Sequence, residues 1–198
     1  MARRPATYRP CRLILRDGRE VTLRAVNEAD APAIRRAFDR LSMESRYNRF
    51  LHHKKALSPE ALERGVRPVP GRGFVFVATV PCPEGFEVVG AAEYVQARPD
   101  DDSTCEFAIT LAEDWRGCGL ARRLMGSLLR RARRDHYAAM VGLVLAANTP
   151  MLVLARKLGF SEEPSTDDNS AVLVRRRLGP PQLQPGPDSG APPSAPPR

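Results

Sequence analysis

The chain has 198 residues, 42% of them apolar, and a formal net charge of +8. That is enough apolar material for one packed domain with a tail, which excludes a globally disordered chain, and no apolar run reaches the ~18 residues a membrane-spanning helix needs. Of the 31 basic residues only Lys54, Lys55 and Lys157 are lysine, so the excess is arginine, a charge that draws anions such as a phosphorylated cofactor or an acidic partner.

The start, residues 1–11, carries Arg3, Arg4 and Arg9 without an apolar stretch, and reads as a basic lead-in, not a secretory signal. Arg12–Arg16 and Val21–Val26 flank Asp17-Gly18, a hairpin pattern. A helix is expected from a cap at Asp30 to about Leu41, with Ile34, Ala37, Phe38 and Leu41 on one face. Ser58-Pro59-Glu60 starts a second helix. Phe74–Val80 and Val88–Val95 are β-rich and joined through Pro81–Gly85, and Thr104–Leu111 is a further strand.

From Leu120 to Ala132 the spacing predicts a helix. Leu120, Ala121, Leu124, Met125, Leu128, Leu129 and Ala132 share one half of the wheel, and Arg122, Arg123, Arg130, Arg133 and Arg134 the other. Met140–Leu145 fits a buried strand. Strand, glycine turn, helix and strand make a βαβ unit, so its two strands should run parallel. A helix over Pro150–Leu158 ends at Gly159, and Val172–Leu178 is the last strand. The body is thus residues 12–178. Residues 179–198, with eight prolines in twenty, read as a disordered tail.

The turn Trp115-Arg116-Gly117-Cys118-Gly119-Leu120-Ala121 is the most informative segment. Two glycines let the backbone bend and approach a ligand, and the first amides of the following helix have no partners within it. Together they suit a phosphate or diphosphate. No Walker lysine follows, and the third glycine of a dinucleotide fingerprint is absent. The spacing is instead Arg-x-x-Gly-x-Ala, Arg116 to Ala121.

That spacing resembles the acetyl-CoA loop of the GNAT superfamily of N-acetyltransferases. Asn148-x-x-Met151-Leu152-x-Leu154-Ala155-x-x-Leu158-Gly159-Phe160 is similar to the same superfamily's Asn-helix-Gly-Phe element. Arg40-Leu41-Ser42-x-x-Ser45-Arg46-Tyr47-x-Arg49-Phe50, with Glu106-Phe107-Ala108, resembles the acetyltransferase domain of Pat-type protein lysine acetyltransferases. The resemblance covers roughly Leu13 to Leu178. It implies an α/β (α+β) GNAT fold: a mixed, mostly antiparallel twisted sheet with helices on both faces and one parallel βαβ cofactor unit.

The resemblance also implies roles. Arg116, Gly117, Cys118, Gly119, Leu120 and Ala121 would hold the diphosphate of acetyl-CoA. Ile109, Thr110 and Leu111 would pair with its pantetheine arm and supply an oxyanion donor, and Asn148 would bind the arm from the other wall. Glu106 would be the general base, through a water. The chemistry needs a base, because a lysine amine with a pKa of about 10.4 is over ~99% protonated at neutral pH and must lose a proton before it attacks a thioester. Where many GNAT enzymes carry a tyrosine that protonates the leaving thiolate, this chain has Ala155.

The expected activity is direct acetyl transfer from acetyl-CoA to a primary amine, with a protein lysine as leading acceptor. The alternatives are a small-molecule amine acceptor and a non-catalytic acyl-CoA sensor. Glu93 is either a second acid in the acceptor groove or a strand-surface residue. Cys118 reads as a small loop residue, His52 and His53 as part of a solvated basic loop and no metal site, and Trp115 as packing the turn. The four cysteines, Cys11, Cys82, Cys105 and Cys118, have no metal-ligand, CxxC or scaffold spacing, so reduced thiols in the cytoplasm are expected. A membrane partner is not expected, nor is a sequence-specific nucleic acid, whose helix-turn-helix, zinc and aromatic RNA-binding motifs are all lacking.

Overall fold

The computed structural model describes residues 8–164 and 170–179. Most of the lead-in, 1–11, and of the proline-rich tail, 179–198, lies outside them. Among the described residues eight strands form one sheet: β1 (Cys11–Ile14), β2 (Glu20–Ala25), β3 (Gly73–Cys82), β4 (Gly85–Arg98), β5 (Asp101–Leu111), β6 (Ala139–Leu145), β7 (Ser161–Pro164) and β8 (Ala171–Arg177). Five α-helices accompany them: α1 (Ala31–Asp39), α2 (Met43–Phe50), α3 (Pro59–Val66), α4 (Leu120–Arg134) and α5 (Thr149–Lys157). The strand order is β1-β2-β3-β4-β5-β6-β8-β7. Every neighbouring pair is antiparallel except β5 with β6, which is parallel across the α4 crossover, as the βαβ pattern requires.

Alternate residues of β3 separate the two faces. Phe74, Phe76 and Ala78 join the larger apolar cluster, with Leu120, Leu124, Met125 and Leu128 of α4 and Leu152 and Ala155 of α5. Val77 turns the other way and packs with Ala33 of α1 and Val88. Helices therefore cover both faces. The apolar half-wheel expected for α4 is inside, with Leu120, Leu124, Met125, Leu128, Leu129 and Ala132 all buried. Two of its polar residues are buried as well, Ser127 and Arg131. Arg131 lies 4.1 Å over the ring of Phe74 and donates to Asp135 at 2.7 Å, and Asp135 also accepts from the hydroxyl of Tyr94. Burial first, then the bond to Asp135, pushes the Tyr94 hydroxyl far up and keeps it a donor.

The expected cap at Asp30 is corrected. Asn27 caps instead, its side-chain oxygen accepting from the Ala29 N–H at 2.9 Å at the start of a 3-10 turn, Glu28–Asp30. Asp30 is fully buried, receives two 2.7 Å bonds from Arg24 and accepts from the Asn27 N–H at 2.8 Å. The carboxylate sinks to meet a guanidinium and is no longer available to α1. Two elements were not anticipated: α2, and the polar edge strand β7, which pairs with β8.

Close approaches position the site. Gly90 on β4 leaves room for α4, since a Cβ there would stand 2.7 Å from Leu111 Cδ2 and 3.1 Å from Leu124 Cδ1. The N-terminal turns of α4 are thereby brought down against the interior of β4 and the end of β5.

Candidate active site

The parallel pairing of β5 and β6 is short. It comprises Thr104 with Ala139, Cys105 with Met140 and Glu106 with Val141, and then stops. β5 runs on to Leu111 and β6 to Leu145, each still paired on its outer edge. From Phe107 onward the facing edges of the two strands have no strand partner, so the sheet opens in a V with free backbone donors and acceptors along its arms. Ile109, Thr110 and Leu111 lie on one arm. Asn148 stands just past the end of the other, where its side-chain oxygen accepts from the Met151 N–H at 3.2 Å and caps α5. Its side-chain amide group faces no bonding partner among the described residues.

The glycine turn closes the mouth of the V. Gly117 and Gly119 both take left-handed backbone angles, φ 76° and 92°, which other residues resist. No side chain caps α4, and no acidic residue occupies its first turn. Arg122 and Arg123 follow directly and are exposed. Basic residues beside the positive end of a helix oppose its dipole, so this concentration of positive potential is suited to an anion. The glycines, the uncapped amides of α4 and the unpaired arm of β5 thus fit the diphosphate and amide-bearing arm of coenzyme A.

Several side chains brace this loop. The Arg116 guanidinium is committed to Glu113 at 2.7 Å and to the Ser45 hydroxyl. Glu113 also accepts from Ser45 Oγ at 2.6 Å and from the Ser42 N–H at 3.0 Å. Partial burial pulls against ionisation of Glu113, but these bonds and Arg116 hold its carboxyl below the usual range. The serines of the Arg40–Phe50 motif therefore tie α2 to the turn. Trp115 packs the turn, under the guanidinium of Arg19 at 4.0 Å, and the Cys118 thiol donates to the Trp115 carbonyl at 3.0 Å. Sequence reasoning did not single out Arg16. Its stem lies 3.5–3.6 Å from where a Cβ on Gly119 would be, and its N–H donates to the Cys118 carbonyl at 3.2 Å. The Asp17-Gly18 hairpin signal located that turn but not its contact with the distant loop.

Glu106 ends the paired stretch of β5, and its residue position remains open to solvent. The protein around it withholds part of its hydration and raises its pKa, with the charge of Arg49 opposing. Glu93 lies on the same face of the sheet: Glu106 pairs with Val95 and Glu93 with Ala108, so the two acids are diagonal neighbours. Arg49, from the end of α2, forms an ion pair with Glu93. One acid is thus neutralised by an arginine and the other left free.

A mostly antiparallel sheet that splays beside its single parallel pair, with a glycine turn and an uncapped helix at the opening, is suited to hold an acyl-CoA, and comparison with known proteins gives the class, an acyltransferase. A family model of the acetyltransferase (GNAT) domain matches residues 20–161. An acetyltransferase of Pseudomonas aeruginosa is 35% identical over 164 residues, covering 83% of this chain and 87% of that protein. The chain belongs to the GNAT acetyltransferase family and is an enzyme, an acyltransferase, of a family that uses acetyl-CoA as co-substrate and acts on an acceptor amine.

Other likenesses are partial or structural. An L-methionine sulfoximine/L-methionine sulfone acetyltransferase of P. aeruginosa is 36% identical over 76 residues, 37% of this chain and 44% of that one. The GNAT domain of S. lividans PAT superposes with a TM-score of 0.77 at 21% identity, over 85% of this chain and 96% of that one. A cAMP-binding acyltransferase from Mycobacterium smegmatis superposes with a TM-score of 0.59 at 24% identity, over 90% of this chain but 50% of that one.

Proposed function

We propose that residues 12–178 form an N-acetyltransferase domain that transfers acetyl from acetyl-CoA to the side-chain amine of a protein lysine. Acetyl-CoA supplies the electrophile, an acyl thioester. The amides of Cys118, Gly119, Leu120 and Ala121, with the Arg116–Gly117 turn, hold its diphosphate. Backbone groups of Ile109, Thr110 and Leu111 pair with the pantetheine arm and steady the carbonyl oxygen, and Asn148 binds the arm from the facing wall. Glu106 takes the amine proton through a water. The amine nitrogen then bonds to the carbonyl carbon as the carbon–sulfur bond breaks, its second proton passes to water as the amide forms, and the thiolate leaves. Residue 155 is alanine and has no hydroxyl to give, so the thiolate takes its proton from solvent.

The observation that carries this reading is the free, pKa-raised Glu106 at the apex of the splayed strands, beside an acid already neutralised by Arg49. A lysine acceptor is supported by the Pat-like motif of Arg40–Phe50 and by the likeness to the PAT domain. The four cysteines are all free of disulfides, which supports action in the reducing cytoplasm.

The test is Glu106→Gln. It is expected to lower kcat/KM for amine acetylation by ~10²–10⁴-fold with CoA affinity unchanged by calorimetry. Loss of CoA binding, or full activity, would remove Glu106 from the role. A free amino-acid derivative as acceptor is a second reading, favoured by the partial match to the methionine sulfoximine acetyltransferase. Such compounds belong in the same CoA-release assay.

A further inference from the structure

Two cavities open on the acceptor side of the sheet, of about 360 Å³ and about 300 Å³. Arg64, Glu93 and Val95 line both, so the two are arms of one groove that meets over β4. Val95 at this junction is 50% exposed and is the cross-strand partner of Glu106. Cross-strand partners share a face, so the free carboxylate stands beside the junction.

The arms differ in chemistry. The larger is walled by Phe38, Leu41, Phe50, Leu57 and Leu62. The smaller is bordered by Arg64, Arg67 and Arg72. Arg67 already bonds Glu28 and Glu63. Arg64 and Arg72 are exposed and form no ion pair among the described residues. A small amine would occupy one arm, whereas a peptide chain fills both and lays its lysine at the junction. A bare lysine approaching Arg64, Arg72 and Lys54 meets like charge, and acidic neighbours on the peptide cancel it.

Building on the lysine reading above, we infer that the acceptor is a lysine flanked on one side by a large apolar residue, seated in the arm of Phe38 and Leu62, and on the other by acidic residues, seated against Arg64 and Arg72. The apolar arm selects by burial and the basic arm by charge.

Synthetic peptides with a central lysine, leucine on one side and aspartates on the other, made in both chain directions, test this by CoA release. In the preferred direction, replacing the aspartates by arginine is expected to lower kcat/KM at least tenfold, and replacing leucine by glycine to lower it severalfold. The loss from arginine should shrink as salt rises. The double variant Arg64→Glu/Arg72→Glu should reverse the charge preference, with CoA affinity by calorimetry reporting that it is folded. Equal turnover of all peptides by the parent enzyme overturns the inference, as does an unchanged preference in a folded double variant. Turnover of free amines with none of any peptide overturns the lysine reading itself.

Discussion

The ring of Phe107 lies directly over Gly142: a Cβ on Gly142 would stand 2.5 Å from Phe107 Cε1 and 2.8 Å from Cζ. These are the first residues past the last paired position of β5 and β6. The ring also meets Phe160 edge-on at 5.3 Å, so the apex of the V is filled from the α5 side. Gly142→Ala must push the ring into a packed cluster. The expected cost is about 1–3 kcal/mol in denaturant unfolding, with weaker CoA binding as the apex shifts. An unchanged midpoint would show that the ring moves freely.

The pH dependence follows from the Glu106–Arg49 relationship. With Glu106 as the proposed base, activity requires it ionised, so kcat/KM should rise as pH climbs through its pKa. Partial desolvation places that acid limb above the usual glutamate range, and Arg49 holds it lower than desolvation alone would. Arg49→Met removes a positive charge that favours the ionised form and also leaves Glu93 without its ion pair. Both effects move the limb to higher pH. The pH profiles of wild type and Arg49→Met should show this displacement, and Glu106→Gln should lack the limb.

The buried Arg24–Asp30 pair is a prediction about stability alone. Asp30→Ala leaves Arg24 without its two 2.7 Å bonds in a mostly buried setting, with an expected loss of ~3–5 kcal/mol. Arg24→Met/Asp30→Leu removes both charges and should recover much of that loss in the same denaturant titration. A double variant as unstable as Asp30→Ala would show that packing, not the unpaired charge, sets the cost.

The pattern of the sequence located most elements but not the side-chain contacts between them. The half-wheel of α4 and the parallel order of β5 and β6 follow from local periodicity and one topological rule. The fates of Asp30 and Arg131 do not: their partners Arg24 and Asp135 are only six and four residues away, but burial of each pair depends on what packs over it, as Tyr94 and Phe74 do over Arg131 and Asp135. β7 has a polar sequence, Ser-Glu-Glu-Pro, and owes its form to pairing with β8. In the site, the glycine turn stood out because two glycines before a helix suit an anion, whereas Glu106 was marked only by the family resemblance. Phe107 over Gly142, Ser45 on Glu113 and Arg16 on Gly119 join residues far apart in the chain and carry no local signature.

Arg16 is the sharpest of these for function. Its stem crosses Gly119 where the uncapped amides of α4 begin, and it has no carboxylate partner among the described residues. A guanidinium there would add a charge-assisted contact to a diphosphate held by those amides. Arg16→Ala is expected to raise the Kd for CoA about tenfold, or about 1.4 kcal/mol, and by the same factor for dephospho-CoA, since the contact is with the diphosphate. Gly119→Ala should do more damage, because it forces a side chain into a left-handed backbone, costing ~1–2 kcal/mol, while a methyl there meets the Arg16 stem at ordinary contact distance. Calorimetry with both ligands separates the two sources of phosphate. A loss for CoA that vanishes with dephospho-CoA would move Arg16 from the diphosphate to the 3′-phosphate, and no loss with either would leave Arg16 as packing for the hairpin alone.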